Sequence, residues 1–192
     1  MDIAFEPVTT LEQIGELAVM AEQIWGEYWP ALIGTAQTRY MIDKFQSVPA
    51  IERDMGECGY RYWFLVDSDG NRVGYTGGAA EIMTGDPQID ARILHNAVIQ
   101  DRYERRFFIS KIYLLASERG KHYASQVIRF YDQLCAREGL QAMYLTVNKG
   151  NELGIRAYQG NGFDIVDKQV ADIGGGFVMD DYVMAREVSS RW

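Results

Sequence analysis

The chain has 192 residues, 47% hydrophobic and 24% charged, with a formal net charge of −8. That is enough for one domain with a full core and no staples, at a composition ordinary for a globular protein. The acidic balance argues against a general nucleic-acid binder, which needs clustered positive charge, and no apolar run nears the roughly 18 residues of a membrane span.

Asp2 stands where a signal peptide would carry positive charge, so the cytoplasm is the expected compartment. Cys58 and Cys135 are too few and too isolated for a disulfide framework, and no C-x-x-C occurs. Cys135 falls on an apolar helix stripe and reads as core. His95 and His122 are the only histidines, so no multi-histidine zinc site and no metal are expected. The negative field suits a cationic substrate.

In chain order, Ile3 to Val8 reads as a strand. Thr10 with Gln13 resembles a capping box, and Ile14, Leu17, Ala18, Ala21, Ile24 and Trp25 form a buried helical stripe that Trp29-Pro30 and Gly34 end. Helices follow over Gln37–Phe45, with Tyr40, Met41 and Phe45 on one side, and over Pro49–Glu57. Tyr60–Val66 and Arg72–Ala80 form a hairpin across Asp67–Asn71, and Gly77-Gly78 marks a bend or a close backbone approach. Residues 84–106 interrupt the pattern as an insertion, a lid or a subunit contact. Asp86-Pro87 would start a helix there that turns Ile93, Leu94, Ala97 and Val98 inward.

Phe107–Leu115 is the next strand, and the helix from Ala124 to Arg137 is the firmest periodicity in the chain. Ala124, Val127, Ile128, Tyr131, Leu134 and Cys135 face one way, Ser125, Arg129, Asp132 and Arg137 the other, and Gly139 stops it. A strand at Ala142–Val147, a helix at Glu152–Asn161, a strand at Phe163–Ala171, the turn Gly174-Gly175-Gly176 and a strand at Phe177–Glu187 complete the order. The last strand has alternation suited to a dimer edge. The order predicts one α/β domain over residues 1–192, a mixed, mostly antiparallel sheet layered with helices.

Two segments carry chemistry. Between strand and helix lies Ser117-Glu118-Arg119-Gly120-Lys121-His122-Tyr123-Ala124-Ser125. A helix N-terminus offers unpaired N–H groups and the positive end of its dipole, a ready site for phosphate, and Arg119, Lys121 and His122 add donors. The segment matches neither G-x-x-x-x-G-K-[ST] nor G-x-G-x-x-G. The second is Val147-Asn148-Lys149-Gly150-Asn151, then Ala157-Tyr158, then Gly162-Phe163: a helix cap at Asn151, a tyrosine two turns on, a glycine stop.

Joined at their separation of roughly thirty residues, these segments resemble the GCN5-related N-acetyltransferase superfamily. The resemblance is best over Phe107–Phe163. It implies helices on both faces of the sheet and a splayed parallel strand pair that holds acetyl-CoA. Tyr113, Leu114 and Leu115 would pair with the pantetheine arm, with Ala142–Val147 as the second strand. The pyrophosphate would sit on Arg119, Gly120, Lys121, His122, Tyr123, Ala124 and Ser125, with His122 where the family usually has glycine. Asn151 would meet the pantetheine region, and Tyr158, near the sulfur, would be the general acid.

No cysteine is placed to carry an acyl group, so direct attack by a primary amine is expected. Glu81, Glu27 and Tyr28 are candidate bases, and Asp172, Asp180 and Asp181 flank the glycine turn where they could hold a cation. Trp25, Tyr28, Trp29 and Tyr40 suit a small cationic amine such as a polyamine. A protein or peptide acceptor, and a non-catalytic acyl-CoA sensor, are the alternatives.

Overall fold

The structure is a computed structural model that describes residues 2–86, 90 and 96–189. Its strands are β1 (Ala4–Pro7), β2 (Arg61–Val66), β3 (Arg72–Ile82), β4 (Arg105–Leu114), β5 (Ala142–Asn148), β6 (Asp164–Gly174) and β7 (Phe177–Glu187). Its helices are α1 (Leu11–Tyr28), α2 (Pro30–Ile33), α3 (Thr35–Phe45), α4 (Val48–Glu57), α5 (Ala97–Arg102), α6 (Tyr123–Glu138) and α7 (Glu152–Gly160). The ladder order is β1-β2-β3-β4-β5-β7-β6, with β4 and β5 parallel. Strand pairs β1–β2, β2–β3, β5–β7 and β6–β7 are antiparallel.

Parallel pairing runs from Arg106↔Ala142 to Phe108↔Tyr144 and stops there, while β4 continues to Leu114 and β5 to Asn148. The parallel pair expected from the resemblance is therefore present. β7 lies between β5 and β6, pairing with β5 over Asp181–Glu187 and with β6 over Phe177–Ala185, so the hairpin return leaves the sheet edge to β6 and not to β7.

The chain forms two compact units. The first comprises Met1–Gly78 and Lys111–Gln126, the second Ala79–Ser110 and Val127–Trp192. In the first, the capping box is formed: Thr10 Oγ1 accepts from Gln13 N at 3.2 Å and Gln13 Oε1 from Thr10 N at 3.1 Å. Helix α1 then buries Ile14, Leu17, Ala21, Ile24 and Trp25, the first four of which pack with Val8, Ile51, Tyr62, Phe64 and Tyr75. The close approach expected at Gly77 is to a ring, since a Cβ there would lie 2.6 Å from Tyr62. A closer backbone approach is at Gly74, where a Cβ would meet Tyr113 O at 2.2 Å. Gly74 is therefore what lets the end of β4 lie against β3.

In the second unit, Phe107 packs on Tyr131 at 5.0 Å and Phe108 on Tyr144 at 4.9 Å. Asp132 departs from its expected solvent side. It is buried, accepting from Arg186 Nη2 at 2.7 Å and Ser189 N at 3.0 Å, because β7 brings a cation to that face of α6. In the insertion, Asp90 accepts from Thr84 N, Thr84 Oγ1 and Gly85 N at 2.8, 2.9 and 3.0 Å. Asn96 caps α5 and donates to Asp167 at 3.0 Å and Gln169 at 3.3 Å. The cap sets the helical phase so that Ile99 is buried, Val98 half-buried and Ala97 exposed, not Ala97 and Val98 inward as expected. Pro87, Ile93 and Leu94 lie outside the described residues.

Candidate active site

The loop that feeds α6 belongs to the first unit up to Gln126. A short 3-10 turn, Ala116–Glu118, leads out of β4, and Leu115 N donates to Val73 O at 3.0 Å. Gly120 has φ of 81°, and a Cβ there would meet nothing within 4 Å, so conformation rather than room demands glycine. His122 has φ of 61°, the one positive value outside glycine among the described residues. Left-handed backbone costs an L-residue about 1–2 kcal/mol, with histidine among the more tolerant. The position the family usually fills with glycine thus has a glycine's conformation here, held by a histidine whose side chain is exposed.

Two neighbours are already engaged. Lys121 Nζ lies 2.9 Å from Glu118 Oε2. The Arg119 guanidinium stacks 4.6 Å from the Tyr28 ring, and its Nη2 donates to Leu114 O at 3.4 Å. Tyr123 is buried, and Ala124 and Ser125 are half-buried in the first turn of α6. An anion here would meet backbone N–H groups first, with Arg119 and Lys121 as flanking charges.

Tyr113 lies in this unit, 5.5 Å from Trp25 and 5.3 Å from Tyr75, while Leu114 and Leu115 are half-buried beside it. The aromatic set proves divided. Trp25 and Trp29 are buried and stacked at 4.9 Å, so they build core. Tyr28 carries Arg119, and Tyr40 has Lys44 Nζ 5.2 Å from its ring and 2.9 Å from its hydroxyl. The chain's own cations already lie at both of these half-buried rings.

Sequence reading missed Lys111, hidden in an apolar run on β4. It is 8% exposed, and burial pushes its ammonium down to about 8 against the opposing pull of Asp54. The charge in an otherwise apolar strand was the available signal.

The second unit holds the other predicted residues. Asn151 Oδ1 accepts from Gly154 N at 3.0 Å and so caps α7. Tyr158 is half-buried, its ring 6.0 Å from Phe163. Glu81 is 2% exposed, accepting from Arg106 Nε and from the Tyr144 hydroxyl, each at 2.7 Å. Its lone pairs are committed, which removes it from the candidate bases. Glu27 takes Gln23 Nε2 at 3.1 Å on the exposed side of α1.

Of the three acids near the glycine turn, Asp172 caps it by accepting from Gly174 N at 2.8 Å, and Asp180 is ion-paired with Lys149. Asp181 is different. It is 4% exposed, its Oδ1 has no hydrogen-bond partner among the described residues, and burial with the Asp180 charge pushes its carboxyl up to about 6. The described residues contain no cluster able to hold a metal ion, and no described helix is long and apolar enough to cross a membrane.

The sequence model of the acetyltransferase (GNAT) family matches residues 20–163. Among solved structures, the chain is similar to the PaiA N-acetyltransferase of Thermoplasma acidophilum, solved with coenzyme A: 15% identity over 97% of this chain and 99% of that one, TM-score 0.67. It is also similar to a GCN5-related N-acetyltransferase of Rhodopseudomonas palustris, at 11% identity over 97% and 96% of the chains, TM-score 0.70. A chimeric spermidine N-acetyltransferase SpeG from Vibrio cholerae and hSSAT shows 16% identity over 96% and 95%, TM-score 0.59. No curated protein matches the sequence.

Proposed function

The chain belongs to the acetyltransferase (GNAT) family, and on that premise we propose that it moves the acetyl group of acetyl-CoA directly to a primary amine of a small cationic molecule. The observation that carries the reading is the loop before α6, where Gly120 and His122 both take positive φ and the backbone leads into a sixteen-residue helix. Successive N–H groups in such a turn, with the helix dipole behind them, favour a pyrophosphate. Arg119, Gly120, Lys121, His122, Tyr123, Ala124 and Ser125 are the proposed diphosphate contacts. Tyr113, Leu114 and Leu115, at the end of β4, are the proposed backbone contacts of the pantetheine arm.

The chemistry needs alignment more than reactive groups. A neutral amine held against a thioester gains most of its rate from proximity, and a backbone N–H can steady the carbonyl oxygen. Tyr158 is the proposed proton donor to the departing thiolate, with Asn151 fixing the start of its helix. A phenol near pKa 10 can share a proton with a thiol near 8.5. All of residues 1–192 are read as one catalytic domain. The net charge of −8 favours a cationic acceptor, and spermidine is the first to try.

Calorimetry with acetyl-CoA, with desulfo-CoA and phosphate as controls, tests the donor site. Saturable binding of one molecule per chain is the expected result, and no binding at high micromolar acetyl-CoA would sink the reading. Thiol release with spermidine, other primary alkylamines and a lysine peptide then ranks the acceptors.

A further inference from the structure

Asp181 is a buried acid whose Oδ1 meets no donor among the described residues. A carboxylate oxygen taken from water without a donor costs free energy, so one that persists in a fold calls for a partner from outside it. Its neighbours do not supply one. On β5, Asn148 stands opposite Asp181 and shares its face, its Oδ1 accepting from Gly150 N at 2.9 Å, yet its amide N–H groups make no hydrogen bond to Asp181 Oδ1. On β6, the opposed Gln169 accepts from Asn96 at 3.3 Å, and its amide N–H groups likewise make no hydrogen bond to Asp181 Oδ1. The charges around it are Asp180 on its own strand and Lys149 after β5, and these pair with each other. Asp167 and Lys168, next to Gln169 on β6, register with Val183 and Tyr182, and Asp167 is held by Asn96.

Its position is equally telling. Asn148 is the last residue of β5, and only Lys149 and Gly150 separate it from Asn151, the cap of the helix that bears Tyr158. Asp181 therefore lies at the carboxyl end of a strand paired in parallel with β4, and α/β folds place ligands outside such ends.

Resting on the acetyltransfer reading above, we infer that Asp181 is a catalytic residue that holds the acceptor's ammonium group and takes its proton. The first N–H proton of R–NH3+ passes to the carboxylate and leaves to solvent. The freed lone pair forms the C–N bond to the thioester carbon, and the C–S bond breaks. Tyr158 gives its proton to the thiolate and regains one from the new amide nitrogen. The net products are the N-acetyl amine, the free thiol and one proton. The assignment also narrows the acceptor: an alkylammonium, protonated at neutral pH, needs this carboxylate, whereas a nucleophile already neutral does not.

The test compares wild type with Asp181→Asn, using spermidine (or the primary alkylamine that the panel selects) and hydroxylamine, which is neutral at about pH 7.5, in a thiol-release assay. For wild type, kcat/KM with the alkylamine falls as pH drops through about 6, because the carboxyl protonates there. In D181N that limb disappears and kcat/KM at neutral pH drops roughly 100-fold, while hydroxylamine turnover stays within a few-fold. Retained acetyl-CoA binding and a melting temperature no lower than that of wild type guard against misfolding. Unchanged alkylamine kinetics in D181N, or equal loss with both nucleophiles, would overturn the assignment and leave acetyltransfer standing. Wild type that binds acetyl-CoA yet acetylates no amine would overturn acetyltransfer itself, and Asp181's role with it.

Discussion

Two buried carboxylates of the second unit behave in opposite ways. Glu81 and Asp181 are 2% and 4% exposed, yet Glu81 is matched by a guanidinium and a phenol at 2.7 Å each, while Asp181 Oδ1 has no donor among the described residues. Burial penalises both charges alike, so their partners make the difference. A satisfied carboxylate is a tie between β3, β4 and β5. An unsatisfied one holds free energy that a ligand can release. Of the two acids, sequence reading placed Glu81 among three candidate bases and Asp181 among acids that could hold a cation; completeness of partnering favours Asp181 for both roles.

Breaking the satisfied side should have the largest effect. Arg106→Met leaves Glu81 buried and unpaired, and a loss of about 3–5 kcal/mol is expected, read by urea denaturation. The unsatisfied side should respond with the opposite sign. The folded carboxyl of Asp181 is raised from 3.8 to about 6, so between those values the folded state keeps a proton that the unfolded chain has released. Stability should therefore fall as pH rises through that window, by on the order of 3 kcal/mol, and stay at the lower level above it. Asn cannot ionise, so D181N should match wild type near pH 4 and exceed it at pH 7, with melting temperatures across the range as the measurement. A variant that gains stability while losing turnover is the signature of a site kept strained for function.

The proposed proton donor extends the comparison to chemistry. Tyr158→Phe should lower kcat about 100-fold under conditions where transfer limits the rate, with acetyl-CoA affinity little changed. Full turnover by that variant would remove Tyr158 from the mechanism. The smallest effect is expected in the loop. His122→Gly clears the side chain that stands where the family usually has glycine, and calorimetry should show acetyl-CoA bound a few-fold tighter, about 1 kcal/mol. Weaker binding would mean that the imidazole is itself a contact.

Local order was legible because it depends on short-range spacing. The capping box at Thr10, the stripe of α6 with its stop at Gly139, the hairpin turn at Gly174-Gly175-Gly176 and the strand Phe177–Glu187 all read directly from residue type and period. The loop and the Asn151 cap were found the same way, since helix starts have a chemistry of their own. The exposed reading of Asp132 failed because Arg186 lies 54 residues away in sequence, and only the fold brings them to 2.7 Å. The dimer edge at β7 failed for a related reason: alternation gives a strand two faces but says nothing of which strands flank it.

By itself, then, the sequence determined the elements, their order and the loop that identifies the family, because these rest on contacts a few residues apart. Tertiary structure decided which charges are sheltered and which of those are answered. Lys111 sank into the first unit, Glu81 met Arg106, and Asp181 was left with an open lone pair. Desolvation and pairing are properties of neighbours distant in the chain, so no local pattern could have told the tie from the base.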